Sequence, residues 1–158
     1  MKSIIVYYSY SGNTEKVAGI LAEVLTGKGE VQQAELLCPD ESKTFLGQCR
    51  RAISHKRGMI GPLNFNLGAY DLICLGTPVW AFGPAPAVNT FLDKCFGVEG
   101  KNIVLFTTYG SGAGRERCIN YMQDILAKKG ASKFRRFSIQ QLKVNDKDFV
   151  ISAAKEAL

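Results

Sequence analysis

The chain alternates short apolar runs with longer amphipathic stretches. Ser3-Ile4-Ile5-Val6-Tyr7-Tyr8 is apolar almost throughout and rich in β-branched and aromatic residues, the pattern of a buried strand. The period then changes. Val17, Ile20, Leu21, Val24 and Leu25 recur at i, i+3, i+4, i+7 and i+8, which predicts a helix over residues 13–26 that stops at Gly27 and Gly29. Residues 30–37 read as a second strand, interrupted by Gln32, Gln33 and Glu35, and an edge position accounts for that polarity. Pro39 breaks it. A helix is expected over residues 41–55, with Phe45, Leu46, Cys49 and Ile53 on one side and Lys43, Arg50 and Arg51 on the other. Residues 57–69 contain Gly58, Gly61, Pro62 and Gly68 with no helical period, and read as a surface loop.

The second half repeats the alternation. Residues 70–75 are a strongly apolar strand, 76–86 a loop with three prolines, and 84–96 a helix with Val88, Phe91, Leu92, Cys95 and Phe96 inward. Residues 102–107 are another apolar strand and 108–114 its loop. The next helix runs to residue 129 with Cys118, Tyr121, Met122, Ile125 and Leu126 inward. Residues 132–139 form a last strand punctuated by Lys133, Arg135 and Arg136, so it too belongs at an edge, and residues 146–157 close as a helix. A β-α unit repeated five times predicts a parallel sheet covered on both faces, a three-layer α/β/α sandwich. Three apolar strands belong in the centre and two polar ones outside, which gives strand order 2-1-3-4-5.

Length and composition narrow the class. The 158 residues suit one domain spanning 1–158, and 46% apolar with 22% charged residues excludes a disordered chain. No apolar run approaches the roughly 20 residues of a membrane span, and no signal-peptide pattern leads the chain, so a cytoplasmic location is expected. Cys38, Cys49, Cys74, Cys95 and Cys118 are odd in number and scattered, with no C-x-x-C spacing. With a single histidine, His55, neither a disulfide framework nor a metal site is expected.

Three predicted loops fall at the carboxyl ends of the central strands, where ligands bind in an open α/β sheet. The first is Ser9-Tyr10-Ser11-Gly12-Asn13-Thr14, with three aliphatic hydroxyls, an amide, a glycine and no charge. Backbone N–H groups at a helix start lack intrahelical partners and lie at the positive end of the helix dipole, so this loop is a ready phosphate site. Capping alone would need only Ser11 or Asn13, with Gly12 easing the turn. The loop is not a Walker loop, since no Gly-Lys-Ser/Thr follows, nor a dinucleotide fingerprint, since it has one glycine. The second loop holds Thr77, Pro78, Val79, the sole tryptophan Trp80, Ala81 and Phe82. The third holds Thr108, Tyr109, Gly110 and Gly112, whose glycines let backbone approach a ring edge. A ligand with a phosphate on the first loop and a flat ring against Trp80 or Tyr109 would gain roughly 0.5–1.5 kcal/mol per stacked pair beyond burial. Phe82 reads as packing, and Tyr10 as a surface or loop-packing residue that contributes only its N–H.

The run Ile5-Val6-Tyr7-Tyr8-Ser9-Tyr10-Ser11-Gly12-Asn13-Thr14-Glu15-Lys16-Val17-Ala18-Gly19-Ile20-Leu21 resembles the amino-terminal signature of the flavodoxin family. The resemblance extends through the element order to the end of the chain, in the short-chain form. It implies the flavodoxin-like fold and an FMN cofactor. Ser9, Ser11, Gly12, Asn13 and Thr14 would then hold the FMN phosphate, and Trp80 and Tyr109 would flank the ring. Gly76-Thr77-Pro78-Val79-Trp80 before a proline-rich helix start is similar to a bacterial flavodoxin-like subgroup.

Two features depart from that family. Its soluble carriers are usually acidic, whereas this chain carries a formal net charge of +6, concentrated in residues 43–57, at Arg115 and Arg117, and in residues 128–136. Solvated helix faces or an acidic docking partner would both account for the charge. A nucleic-acid partner is not expected, because no aromatic–basic interleaving is present. The family also commonly places a glycine beside the stacking aromatic, where a backbone flip lets a carbonyl bond the reduced ring. Here Ala81 follows Trp80 and the nearest glycine is Gly83. The implied function is an electron-transfer protein working with redox partner proteins. The alternative is an FMN-dependent oxidoreductase passing electrons from NAD(P)H to a quinone-type acceptor, and a flavin-free interaction module is a third class.

Overall fold

Alternation along the strands builds the core, because successive side chains of a strand point to opposite faces. The computed structural model describes residues 1–39 and 57–158. Strands β1 (Lys2–Tyr7), β2 (Glu30–Glu35), β3 (Leu72–Pro78), β4 (Asn102–Tyr109) and β5 (Lys133–Gln140) form one parallel sheet in the order β2-β1-β3-β4-β5, as the polarity of the runs predicts. Ile4, Val6, Ile73, Leu75, Ile103 and Leu105 face one side. There they meet Phe91 and Leu92 of helix α2 (Pro86–Lys94) and Ile119 and Met122 of α3 (Arg115–Lys128). Ile5, Tyr7, Leu72, Cys74, Val104 and Phe106 face the other side. They meet Val17, Leu21 and Leu25 of α1 (Asn13–Thr26) and Val150 and Ala154 of α4 (Lys147–Glu156). Burial on both faces is why the central strands are continuously apolar.

The helices differ from the periodicity in detail. The buried stripe of α1 is Thr14, Val17, Ala18, Leu21, Ala22 and Leu25, while Ile20 and Val24 are only half-buried. Ala18 and Ala22 share the buried face with Val17, Leu21 and Leu25, which leaves Ile20 and Val24 at its flank. In α3 Ile119 is buried, and Tyr121 and Ile125 are half-buried. Helix α2 begins at Pro86 rather than Pro84 and ends at Lys94. Cys95 is extended and Gly97 turns the chain at φ 76°, so Phe96 leaves the helical face and is exposed. The helix expected over residues 41–55, with Cys49 and His55, lies outside the described residues.

Two central strands run further than predicted. Thr77 pairs with Thr107 and Pro78 with Thr108, so β3 and β4 extend two or three residues into the expected loops. Neighbouring strands hold these residues extended despite their turn-like composition, a tertiary override of local preference. Edge strand β2 has no outer neighbour among the described residues and stops at Glu35, two residues early. Among the described residues, no helix is long and apolar enough to cross a membrane.

Candidate functional site

The carboxyl ends of β1, β3 and β4 deliver the three loops to one place. α1 starts at Asn13 after Gly12, a left-handed N-cap residue at φ 81° with no side-chain cap bond. Ser9 performs the capping instead: its Oγ accepts from the Glu15 N–H at 3.2 Å. Among the described residues, the N–H groups of residues 10–14 have no protein acceptor. These are the orphan donors a helix start offers to an anion.

The loops are tied to one another by buried bonds. Thr14 and Thr108 share a hydrogen bond between their hydroxyls at 2.8 Å, with both side chains buried. The Val79 N–H donates to the Thr108 carbonyl at 2.8 Å. Thr77 is fully buried; its Oγ1 accepts from the Ala85 N–H and donates to the Pro78 carbonyl, both at 3.0 Å. Trp80 and Gly83 exchange two backbone bonds, of 2.9 and 3.0 Å, closing a two-residue hairpin. Its central residues, Ala81 at φ 46° and Phe82 at φ 72°, are both left-handed. Asn-Gly or Gly-Gly is the ordinary choice for such a turn, and each non-glycine residue costs roughly 1–2 kcal/mol there.

Aromatic rings shape the middle of the site. Trp80 is only 5% exposed and is held by Tyr8 and Tyr10, each edge-on at 5.5 Å between centroids. The Tyr10 ring is thus a loop-packing group against Trp80. Tyr109 carries the Arg115 guanidinium over one face, 5.3 Å from the ring centroid. Gly114, at φ 79°, passes directly beneath Phe82: a Cβ there would lie 2.4 Å from the Phe82 ring and 2.6 Å from its Cα.

Together these loops enclose a cleft of about 390 Å³, within the roughly 300–1,000 Å³ of small-molecule sites. Tyr10, Ser11, Asn13 and Thr14 line it from the first loop, Pro78, Val79 and Trp80 from the second, and Thr108, Tyr109 and Gly110 from the third. Ser9, Gly12, Thr77, Ala81, Phe82 and Gly112 lie outside the lining. Ser9 and Thr77 brace the loops, as their hydrogen bonds show. Phe82 is 51% exposed and borders a separate groove with Arg117, Asn120, Tyr121 and Asp124. Ser111 and Gln141 line the cleft without having been predicted. Ser111 belongs to a loop already singled out for its glycines. Gln141 follows β5, and no local pattern marks it; only pairing of β5 with β4 brings it there.

The lining is uncharged: hydroxyls, amides, backbone and aromatic rings. Phosphate at residues 10–14 would therefore be held by neutral donors and the helix dipole, and a flat ring would meet Trp80 and Tyr109. The residues present fit a phosphorylated planar ligand. Thiol chemistry has no support at the central cysteines. Burial pushes the Cys74 and Cys118 thiols far up and that of Cys95 up to about 11. At the β2 edge, the Glu35 carboxyl is raised by burial and then by Glu15, and the Tyr7 hydroxyl is raised by burial and by both carboxylates.

Known proteins share this architecture. A flavoprotein from Lactobacillus acidophilus, solved in complex with FMN, superposes with a TM-score of 0.64 at 19% identity, covering 93% of this chain and 98% of that one. Oxidised flavodoxin 1 from Bacillus cereus gives 0.62 at 19% identity over 100% and 99% of the two chains. The apo form of an NADH:FMN oxidoreductase gives 0.69 at 19% identity over 99% and 86%. At such identities the likeness is one of fold. The flavodoxin family model matches residues 2–131, most of the sequence, and on that match the chain belongs to the flavodoxin family.

Proposed function

We propose that the protein is an FMN-binding electron-transfer protein, a single domain over residues 1–158 working in the cytoplasm. The observation that carries this reading is one uncharged cleft joining the unpartnered N–H groups of residues 10–14 to the rings of Trp80 and Tyr109. In it, Ser11, Asn13 and the N–H groups from Tyr10 to Thr14 hold the phosphate. Trp80, Val79 and Pro78 flank the ring on one side and Tyr109 and Gly110 on the other. Ser9, Gly12, Thr77, Ala81, Phe82 and Gly112 keep the three loops in shape. Bound FMN supplies the redox chemistry, and the chain supplies orientation, stacking and exclusion of water.

The test is affinity. Thr14 spends its hydroxyl on Thr108, so Ser11 and Asn13 are the cleaner pair to remove. Hydrogen bonds to a charged group contribute roughly 1.5–3 kcal/mol each, so Ser11→Ala with Asn13→Ala should weaken FMN about 100-fold and riboflavin little. Equal losses for both flavins would sink the phosphate assignment.

The redox partner on this reading is an acidic protein. Arg117, Lys128, Lys133 and Arg135 have no ion-pair partner among the described residues, which leaves their charge available to a docking face. A second reading, an FMN-dependent oxidoreductase passing electrons from NAD(P)H to a quinone, is favoured by the groove beside Phe82 and by the fold shared with an NADH:FMN oxidoreductase. Steady consumption of NAD(P)H with a quinone by the purified holoprotein would select it over the carrier.

A further inference from the structure

Behind Tyr109 lies a chain of charges that the cleft itself does not use. The Arg115 guanidinium covers one face of the Tyr109 ring at 5.3 Å, and Arg115 is absent from the cleft lining while Tyr109 is part of it. Arg115 Nη1 also donates to the Tyr109 hydroxyl at 3.5 Å, so Tyr109 is the lining side chain that links the cation to the cleft. Arg115 Nη2 is 3.1 Å from Glu116 Oε1. Glu116 Oε2 is in turn 3.5 Å from Arg136 Nη1, which donates to Asn120 Oδ1 at 2.9 Å. The three charged groups sum to one positive charge, with its inner member against the ring. The cleft lining itself is uncharged.

We propose that Arg115 is a positioning and tuning residue that raises the reduction potential of a flavin in the cleft, through the Tyr109 ring. The inference rests on the FMN reading above. Reduction adds two electrons and one proton to the neutral oxidised ring, and the product is a singly charged anion. A fixed cation one aromatic ring away stabilises that anion and leaves the neutral oxidised form nearly unaffected. The guanidinium also pins Tyr109 by a cation–π contact, which keeps the ring in register with the cleft. Arg115 is partly exposed and shares its charge with Glu116, so the effect is moderate. The preference for reduced over oxidised FMN should be about fivefold greater with Arg115 than without it.

The experiment is an anaerobic dithionite titration of the FMN-loaded protein against a reference dye, with dithionite as the electron source. Arg115→Gln should lower the two-electron midpoint potential by about 20 mV, which is the fivefold change converted at 29.6 mV per decade. Arg115→Lys should keep most of the wild-type value. Glu116→Gln, which removes the offsetting negative charge, should shift the potential in the opposite direction. A merely structural role would not reverse sign between Arg115→Gln and Glu116→Gln, and thermal melts of both variants check that the fold is intact. Unchanged potentials, or shifts of the same sign in both variants, would overturn the assignment while leaving FMN binding in place. Failure of the wild-type chain to bind FMN would overturn both proposals.

Discussion

The hairpin beside Trp80 concentrates the residue-scale physics of this protein. Ala81 and Phe82 adopt backbone angles that favour glycine, and the reciprocal Trp80–Gly83 bonds hold them there. Gly114 leaves the space beneath Phe82 that the arrangement requires. Replacing Gly114 by alanine puts a Cβ into Phe82 at a left-handed position, and should cost about 2–3 kcal/mol in urea unfolding. Ala81→Gly should do the reverse and stabilise by about 1 kcal/mol, offset in part by greater freedom of the unfolded chain. A neutral Gly114→Ala variant would mean that Phe82 moves aside freely. All the residues that line the cleft except Gln141 lie in the three loops singled out from the sequence, because hydroxyls and glycines at a strand-to-helix turn are a local signal. Two of their contacts were not legible: the Tyr10 ring packs on Trp80, and the Thr14 hydroxyl in the first turn of α1 bonds Thr108 of β4, each between residues distant in sequence.

At the scale of elements, helix ends were read well where a local signal exists. α1 occupies residues 13–26 as predicted, bounded by Gly12 and Gly27. α4 opens with Asp146, whose Oδ1 accepts from the Phe149 N–H at 3.1 Å. Asp146→Ala should destabilise the protein by about 1 kcal/mol, seen as a lower Tm, while Asp146→Ser should retain most of the stability. In α2, Phe91 is among the largest fully buried side chains, so Phe91→Ala should cost about 3–5 kcal/mol and threaten folding altogether. Strand ends were read less well. β3 and β4 continue through Thr77-Pro78 and Thr108-Tyr109 because each lies between partners, and nothing in those residues alone announces it.

At the scale of the whole molecule, the basic charge is partly consumed internally. Arg57 donates from Nη2 to Asp93 Oδ1 at 2.8 Å, and Lys129 caps the end of α2 through the carbonyls of Asp93 and Cys95. The hydrogen bond from Arg57 holds the Asp93 carboxyl below its ordinary 3.8, so this link is complete at neutral pH and is lost as pH falls through that lowered value. Glu35 has the opposite sign. Its carboxyl is raised by burial and by Glu15, so ionised Glu35 is unfavourable at neutral pH and the penalty disappears on acidification. Glu35→Gln should therefore raise Tm at pH 7, with the gain shrinking as pH falls through the raised value toward 4.5. A gain independent of pH would remove the electrostatic explanation.

What the amino-acid sequence by itself determined is the sheet order, its buried centre and the end of the sheet at which the candidate cleft lies. Apolar period and polar interruption are local, and they dictate which strands are covered on both faces. The same locality marked the loop at residues 9–14 as a candidate anion site. What only the tertiary structure decided is how the three loops meet: Gln141 delivered by β5, Trp80 held between Tyr8 and Tyr10, and Arg115 lodged behind Tyr109. Each of these joins side chains from different elements or from across a turn. Their distances follow from strand register and backbone angle, which no pattern along one segment encodes.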